Sequence, residues 1–205
     1  MKSWLIGAAI GLCVVGIYLF FFHRPTAITN FPPHEGPVVA FGDSLTAGSG
    51  STDGNDYVSL LSQKIGEPIQ NFGVPGDTTM DALARIDQVI ATHPRIVLVL
   101  LGGNDYLKRV PIDTTFENLQ QIIGKLQADD TVVVLIGIRG GVLQDNYAGR
   151  FESLGRKTGS LYIPNALDGI LGHQNLMFDE IHPNNAGYAI IAQKIYDAIK
   201  PLLTP

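Results

Sequence analysis

The chain has 205 residues, of which 45% are apolar and 16% are charged, and its formal net charge is -5 at pH 7. This balance suits one globular domain plus an appendage, and it excludes extensive disorder. The net acidity and the lack of a basic block exclude a nucleic-acid-binding class, because such proteins concentrate Lys and Arg on one face.

The N-terminal region contains a long apolar stretch. Residues 4–22 carry no charge and lie between Lys2 and Arg24. These 19 residues roughly span the hydrocarbon core of a membrane if they are helical, at ~1.5 Å per residue. The stretch is longer than the ~7–15 apolar residues of a usual secretory signal, and aromatic residues stand where a small-x-small cleavage site belongs. We therefore predict an uncleaved signal anchor over residues 1–24 and a periplasmic or otherwise extracytoplasmic domain after it. A cleaved signal peptide and a secreted domain are the alternative.

Residues 25–36 are rich in proline and lack periodicity, which is typical of a tether. Residues 37–205 then alternate between apolar runs and helical patterns, as one folded domain does. The predicted strands are Val38–Phe41, Ile69–Val74, 95–103, 131–138 and Ser160–Ile163. Helical patterns fall on Tyr57–Ile65, on the stripe of Met80, Leu83, Ile86 and Ile90, on the stripe that begins at Phe116, on Asn146–Thr158 and on the stripe that begins at Ile191.

The apolar runs lack polar alternation, which is typical of parallel strands that helices cover on both faces. The alternating order predicts an open, three-layer α/β/α fold with a parallel sheet of about five strands. Ligands bind such sheets at the carboxyl ends of the strands. Polar segments follow these strands and precede the last helix: "GDSLTAG", "NFGVPGDTT", "LLGGNDYL" and "FDEIHPNNAG". Because those ends share one edge, we expect the four segments to meet there.

Ser44 is the candidate nucleophile in the first of these segments. Serine needs a base to remove its proton at neutral pH. His182 is the strongest candidate among the five histidines, because Asp179 precedes it by three residues and could hold the imidazole tautomer that leaves Nε2 free. Taken alone, the Asp-x-x-His spacing fits a capped loop equally well. The three residues together predict a Ser-His-Asp triad.

Acyl transfer also requires donors directed at the developing oxyanion. The side chain of Asn104, the backbone N–H of Gly76 and the backbone N–H of Ser44 are the candidates, although each stretch alone also reads as an ordinary turn. The nucleophile elbow Gly-x-Ser-x-Gly is excluded, since Thr46 occupies the position of its second glycine.

The four segments together resemble the SGNH or GDSL hydrolase superfamily, over residues 37–202. The likeness is nearest to its bacterial arylesterases, acyl-CoA thioesterases and lysophospholipases. It implies a flavodoxin-like fold and a catalytic domain over residues 37–205. It also implies hydrolysis of esters or thioesters through an acyl-enzyme, with no metal and no cofactor. Ser44, Asp179 and His182 would be catalytic, and Ser44, Gly76 and Asn104 would form the oxyanion hole. Asp43, Asp77 and Asp105 are expected to bond the surrounding loops.

Candidate walls of an acyl pocket are Tyr106 and Leu107, after the third strand, and Val142 and Leu143, after the fourth. Ligand pockets are mostly apolar, and these residues fit that pattern, although packing of the loops would account for them equally well. The expected substrates are small esters, thioesters or lysophospholipids. The alternatives are a cell-envelope carbohydrate O-deacetylase or an acyltransferase on the same residues, or a non-catalytic envelope protein on the same fold.

Overall fold

The computed structural model describes residues 27–139 and 147–203. The predicted anchor, residues 4–22, lies outside the described residues, as do Val142 and Leu143. In the described ranges, no helix is both long enough and apolar enough to cross a membrane.

Five parallel strands form one sheet in the order β2-β1-β3-β4-β5. The strands are β1 (Val38–Gly42), β2 (Ile69–Gly73), β3 (Ile96–Leu100), β4 (Val132–Ile136) and β5 (Leu161–Ile163). Strands β1, β3 and β4 are buried along their whole length, which explains their unbroken apolar runs. The strand order is that of flavodoxin-like folds. The chain adds β2 on one side of β1 and then β3 on the other side, and such folds bind ligands at this point between β1 and β3. The predicted sheet is confirmed.

Helices cover both faces of the sheet. They are α1 (Ser44–Ala47), α2 (Tyr57–Ile65), α3 (Thr79–Ala84), α4 (Ile86–Ile90), α5 (Gly103–Leu107), α6 (Ile112–Gln127), α7 (Ala148–Thr158) and α8 (Asn185–Leu203), with a 3₁₀ turn at Gln174–Leu176. Helix α2 packs against α8, whereas α6 packs against α3, α4 and α7. These two groups are the outer layers of the three-layer fold.

The predicted helical stripe from Met80 to Ile90 is two helices rather than one. Arg85 separates them with φ -115° and ψ 9°, outside helical geometry. Its side chain points inward and bonds the ends of two strands, whereas Met80 is exposed. The buried residues are Thr79 and Ala82 in α3 and Ile86 and Val89 in α4, so only Ile86 of the predicted stripe is fully buried.

The first described residues pack against the amino-terminal edge of the sheet. The N–H of Thr29 donates to Gly159 O at 2.9 Å, just before β5. The side-chain amide of Asn30 donates to Thr131 O at 3.1 Å, just before β4. The chain therefore enters the domain at the edge opposite to the carboxyl ends of the strands.

Candidate active site

Ser44 is the first residue of α1, directly after β1. Asp43 caps this short helix, because its Oδ1 accepts the backbone N–H of Leu45 at 3.0 Å. A Cβ on Gly42 would stand 2.1 Å from Thr46 Oγ1, and a Cβ on Gly73 would stand 2.2 Å from Ala47 N. Glycine at the ends of β1 and β2 thus lets α1 lie close against the sheet, and this contact fixes the position of Ser44.

His182 meets Ser44 across 138 positions of sequence. The Oγ–H of Ser44 donates to His182 Nε2 at 2.9 Å, and His182 Nδ1 donates to Asp179 Oδ2 at 2.8 Å. An ionised carboxylate can only accept hydrogen bonds, so Asp179 fixes the proton on Nδ1 and leaves Nε2 with a free lone pair. The predicted spacing thus places these three side chains in one hydrogen-bonded chain.

The loop of Asp179 and His182 is a tight turn. The other carboxylate oxygen of Asp179 accepts the backbone N–H groups of Ile181 and His182 at 2.9 and 2.7 Å. The His182 hydrogen bond is the main cause that lowers the pKa of Asp179 to about 2. Asp179 therefore stays ionised in neutral solution, although it lies in an exposed turn.

Asn104 lies in α5, directly beyond β3 and beside α1. Its Nδ2 donates to Asp77 O at 3.0 Å and to Asp43 Oδ2 at 3.3 Å. These two acceptors fix the orientation of the amide, and Asn104 and Ser44 line the same cavity. Gly76 precedes Asp77 in a turn with φ +87°, a left-handed geometry that favours glycine. Its carbonyl oxygen accepts Lys108 Nζ at 2.8 Å, and Gly76 does not line that cavity.

Asp43 is 3% exposed, and its burial raises its pKa to about 6. Desolvation disfavours the charged form of the carboxyl group more than its hydrogen bond to Leu45 favours it. Asp105, also buried, accepts the N–H and the hydroxyl of Thr79 at 2.8 and 2.6 Å. Both aspartates bond the loops around the site, as expected from the sequence.

Residues 40–190 match the GDSL-like Lipase/Acylhydrolase family. The chain belongs to this family. It is an ester-hydrolysing enzyme, as its relatives in the family indicate.

Two relatives of this GDSL hydrolase are 30% identical to it. Esterase TesA of Pseudomonas aeruginosa aligns over 181 residues, which cover 81% of this chain and 89% of that protein. The thioesterase 1/protease 1/lysophospholipase L1 of Escherichia coli aligns over 178 residues, which cover 81% and 84% of the two chains. The crystal structure of esterase EstA from Pseudoalteromonas sp., inhibited by monoethylphosphonate, is similar with a TM-score of 0.75 and 26% identity, over 82% of this chain and 98% of that one. The predicted family is therefore confirmed.

A cavity of about 460 Å³ opens beside Ser44 and His182 in the GDSL hydrolase. Tyr106 and Leu107 line it, as the sequence predicted. Other lining side chains were not predicted, of which two are charged, Arg139 and Glu180, and five are apolar: Leu45, Ile138, Leu167, Leu171 and Ile181. Leu167 and Leu171 lie between β5 and α8 in irregular chain without periodicity, so the sequence offered no signal for them.

Arg85 is the other residue that sequence reasoning missed. It shares the segment of residues 80–90 with two other charged residues, Asp81 and Asp87, so the sequence offered no signal that distinguished it. Within residues 27–139 and 147–203, no group of three or more His, Cys, Asp or Glu side chains is arranged so that it could hold a metal ion.

Proposed function

We propose that this GDSL hydrolase cleaves carboxylic esters and thioesters through an acyl-enzyme formed on Ser44. One observation carries the proposal: Ser44 Oγ and His182 Nε2 are 2.9 Å apart, and Asp179 bonds the opposite ring nitrogen. This is the geometry of a nucleophile, a base and an acid that orients the base.

In the first half-reaction, Ser44 Oγ attacks the carbonyl carbon while His182 Nε2 accepts the hydroxyl proton. The C=O π electrons move onto oxygen, which becomes the oxyanion of a tetrahedral intermediate. His182 then gives its proton to the departing alkoxide or thiolate as the bond to the leaving group breaks. In the second half-reaction, water attacks the acyl-enzyme, His182 accepts the water proton, and Ser44 Oγ leaves and regains it. Asp179 holds the ring throughout and stabilises the imidazolium.

The proposed oxyanion donors are the backbone N–H groups of Ser44 and Gly76 and the amide of Asn104. Ser44 stands at the first position of α1, where a helical N–H has no partner within the helix. Gly76 adopts a left-handed turn, and the space where a Cβ would stand is open. Asn104 supplies a donor whose direction is set by two acceptors before substrate arrives. Such preorganised donors stabilise developing charge without a reorganisation cost.

The apolar cavity supports acyl substrates longer than acetate. Its walls include Leu107, Ile138 and Leu171, and it opens directly onto Ser44. An arylesterase, acyl thioesterase or lysophospholipase reaction therefore fits better than deacetylation of a carbohydrate, whose polar ring these walls would not bind. Transfer to an acceptor other than water would use the same acyl-enzyme.

The proposal for the chain's organisation places an uncleaved anchor over residues 1–24, a connector over residues 25–36 and the catalytic domain over residues 37–205. The basis is the uncharged stretch of residues 4–22, long enough to span a membrane. The catalytic domain would then be periplasmic or otherwise extracytoplasmic.

The direct test is Ser44→Ala, assayed with p-nitrophenyl acetate, p-nitrophenyl octanoate and octanoyl-CoA. We expect kcat to fall about 10⁴-fold or more, because the nucleophile is removed. Labelling of Ser44 by a fluorophosphonate probe should also disappear. Ser153→Ala, an exposed serine on α7, is the matched control and should keep both activities. Ester hydrolysis undiminished in Ser44→Ala would remove Ser44 from the role.

A further inference from the structure

Arg85 occupies the break between α3 and α4 and turns its side chain into the domain. Its Nε donates to Asp77 Oδ2 at 2.6 Å. Its Nη1 donates to Phe72 O and its Nη2 to Gly42 O, both at 3.0 Å. One guanidinium thus bonds the carboxyl ends of β1 and β2 and the turn that follows β2.

The chemistry of this position requires arginine. The guanidinium carbon lies 4.6 Å from the ring centroid of Phe41, so the planar group has an aromatic ring beside it as well as its three acceptors. Lysine has the charge but not the planar fork, and its ammonium cannot reach three divergent acceptors in this way. The side chains of Arg85 and Asp77 are only 15% and 12% exposed, so their pair is shielded from water.

Two of the three residues that Arg85 bonds, Asp77 and Gly42, lie within two residues of a proposed oxyanion donor. Asp77 follows Gly76, whose N–H is one donor. The carbonyl oxygen of Asp77 accepts the amide of Asn104 at 3.0 Å, which sets the direction of the second donor. Gly42 lies two residues before Ser44, whose N–H is the third. The three donors come from three separate segments of chain, and this cluster of contacts links all of them.

We propose that Arg85 is a positioning residue that keeps the three oxyanion donors in register. It does not line the cavity beside Ser44, and its three nitrogens donate to Asp77, Phe72 and Gly42 instead. The inference rests on the proposed function, because it assumes that Ser44, Gly76 and Asn104 stabilise an oxyanion. Without the guanidinium, the Gly76–Asp77 turn loses its bond to the strand ends, and the amide of Asn104 loses a fixed acceptor.

The consequence for the reaction is specific to its transition state. Most apolar walls of the cavity, among them Leu107, Ile138 and Leu171, belong to segments after β3, β4 and β5 that Arg85 does not bond, so substrate binding should change little. Misplacement of donors by a fraction of an ångström to 1 Å reduces catalysis by up to about 10²-fold. Loss of Arg85 should therefore lower kcat and leave KM almost unchanged.

The test compares Arg85→Met and Arg85→Lys with Arg150→Met in the full chain. Arg150 is a matched control, since it pairs with Asp113 at 2.7 Å and lies over the Phe116 ring, but on the exposed surface away from the site. With p-nitrophenyl octanoate, we expect kcat to fall about 10- to 100-fold in Arg85→Met and less in Arg85→Lys, with KM within about twofold of wild type. Arg150→Met should retain wild-type constants.

The rate of inactivation by a phosphonate inhibitor is a second measurement, and it does not report on folding alone. Its tetrahedral adduct places a charged oxygen at the donors, so the rate of inactivation should fall in Arg85→Met by the same factor as kcat. Circular dichroism should define a temperature at which each variant is folded, and all rates are compared there. If Arg85→Met proves too unstable, Asp77→Asn loosens the same turn and should show the same split of kcat and KM.

The outcomes separate this inference from the proposed function. If Ser44→Ala abolishes hydrolysis and folded Arg85→Met keeps wild-type kcat, the positioning role is wrong and the nucleophile stands. A rise in KM with unchanged kcat would also overturn it, because that pattern belongs to substrate binding. If Ser44→Ala keeps its activity, the proposed function itself fails, whatever the Arg85 variants do.

Discussion

The amide nitrogen of Asn104 lies 3.0 Å from the carbonyl oxygen of Asp77 and 3.3 Å from the carboxylate of Asp43. The longer contact is the weaker of the two. An oxyanion on substrate could therefore replace Asp43 as acceptor, while the bond to Asp77 keeps the amide in place. The side chain would thus be oriented before substrate binds.

This arrangement makes Asn104→Ala the most direct test of the proposed oxyanion hole. We expect kcat for p-nitrophenyl esters to fall about 10²- to 10³-fold, which corresponds to roughly 3–4 kcal/mol of transition-state stabilisation. KM should change little, because the cavity walls remain. Asn55→Ala removes a partly exposed amide elsewhere and should leave kcat unchanged. A loss below about threefold in Asn104→Ala would exclude Asn104 from the oxyanion hole.

The contribution of Asp43 to the free energy of unfolding should be larger in acid than at neutral pH. Its pKa is raised from 3.8 to about 6 in the folded state, so the folded state binds more protons than the unfolded state between these values. The free energy of unfolding therefore falls as the pH rises through this range and is constant above it. At 1.36 kcal/mol per pKa unit, the loss attributable to Asp43 between pH 4.5 and 7.5 is about 2 kcal/mol.

Urea unfolding of wild type and Asp43→Asn at these two pH values measures this contribution. The variant has no ionisable group at this position. The change in its free energy of unfolding from pH 4.5 to pH 7.5 should therefore be about 2 kcal/mol more positive than the change in wild type. Asp53→Asn changes an exposed aspartate and serves as the control. Equal pH dependence in wild type and Asp43→Asn would contradict the raised pKa.

Asp179→Asn should reduce kcat by about 10²- to 10⁴-fold. The amide of asparagine can donate to His182 Nδ1, which would favour the tautomer with its proton on Nε2 and remove the acceptor for Ser44. The carboxylate of Asp179 is 44% exposed, so water screens its charge and the loss should come mainly from the tautomer. Asp179→Ala, which leaves the tautomer free, should retain more activity than Asp179→Asn. Asp168→Asn is the surface control. Equal losses in the two Asp179 variants would contradict the tautomer argument and indicate that the charge, which both variants remove, dominates.

The sequence was most informative where polar residues able to take part in a reaction lie close to the ends of predicted strands. Ser44, Asn104 and His182 could be predicted to meet because each belongs to a polar segment at the rim of the sheet. Arg85 could not, because its role depends on three backbone and side-chain acceptors that only the folded chain brings together. The cavity walls at Leu167 and Leu171 also escaped prediction. Irregular chain has no period that marks which side chains face a ligand.

Leu171→Trp should shorten the preferred acyl chain. Leu171 lines the cavity and is partly exposed, so a larger side chain there can fill the acyl site without disturbing the core. We expect kcat/KM for p-nitrophenyl octanoate to fall about tenfold or more, while that for the acetate changes less than about twofold. Phe31→Trp enlarges an exposed aromatic residue at the opposite edge and should alter neither value. Equal loss for acetate and octanoate would show that the substitution perturbs the catalytic residues instead.

The attachment of the N-terminal segment predicts which way an anchored domain faces. Thr29 and Asn30 bond the amino-terminal edge of the sheet, and Ser44 lies at the carboxyl edge. Only six residues lie between Phe22 and Thr29, and this connection reaches at most ~25 Å when extended. A domain of about 170 residues has a radius of gyration of ~15 Å and measures about 40 Å across. The catalytic rim therefore cannot turn to face the membrane that residues 4–22 would cross, and we expect it to point away from that bilayer.

Fluorescence resonance energy transfer from the labelled full chain to labelled lipid in nanodiscs tests this orientation. Cys13 is the only cysteine, so Cys13→Ser gives a background in which Glu35→Cys labels the amino edge and Met80→Cys labels the rim. Both positions are exposed. With acceptor-labelled lipid, transfer from position 35 should exceed transfer from position 80, because position 35 lies closer to the bilayer. Equal or reversed transfer would place the rim at the membrane. Failure of the chain to co-elute with nanodiscs would instead contradict the proposed anchor.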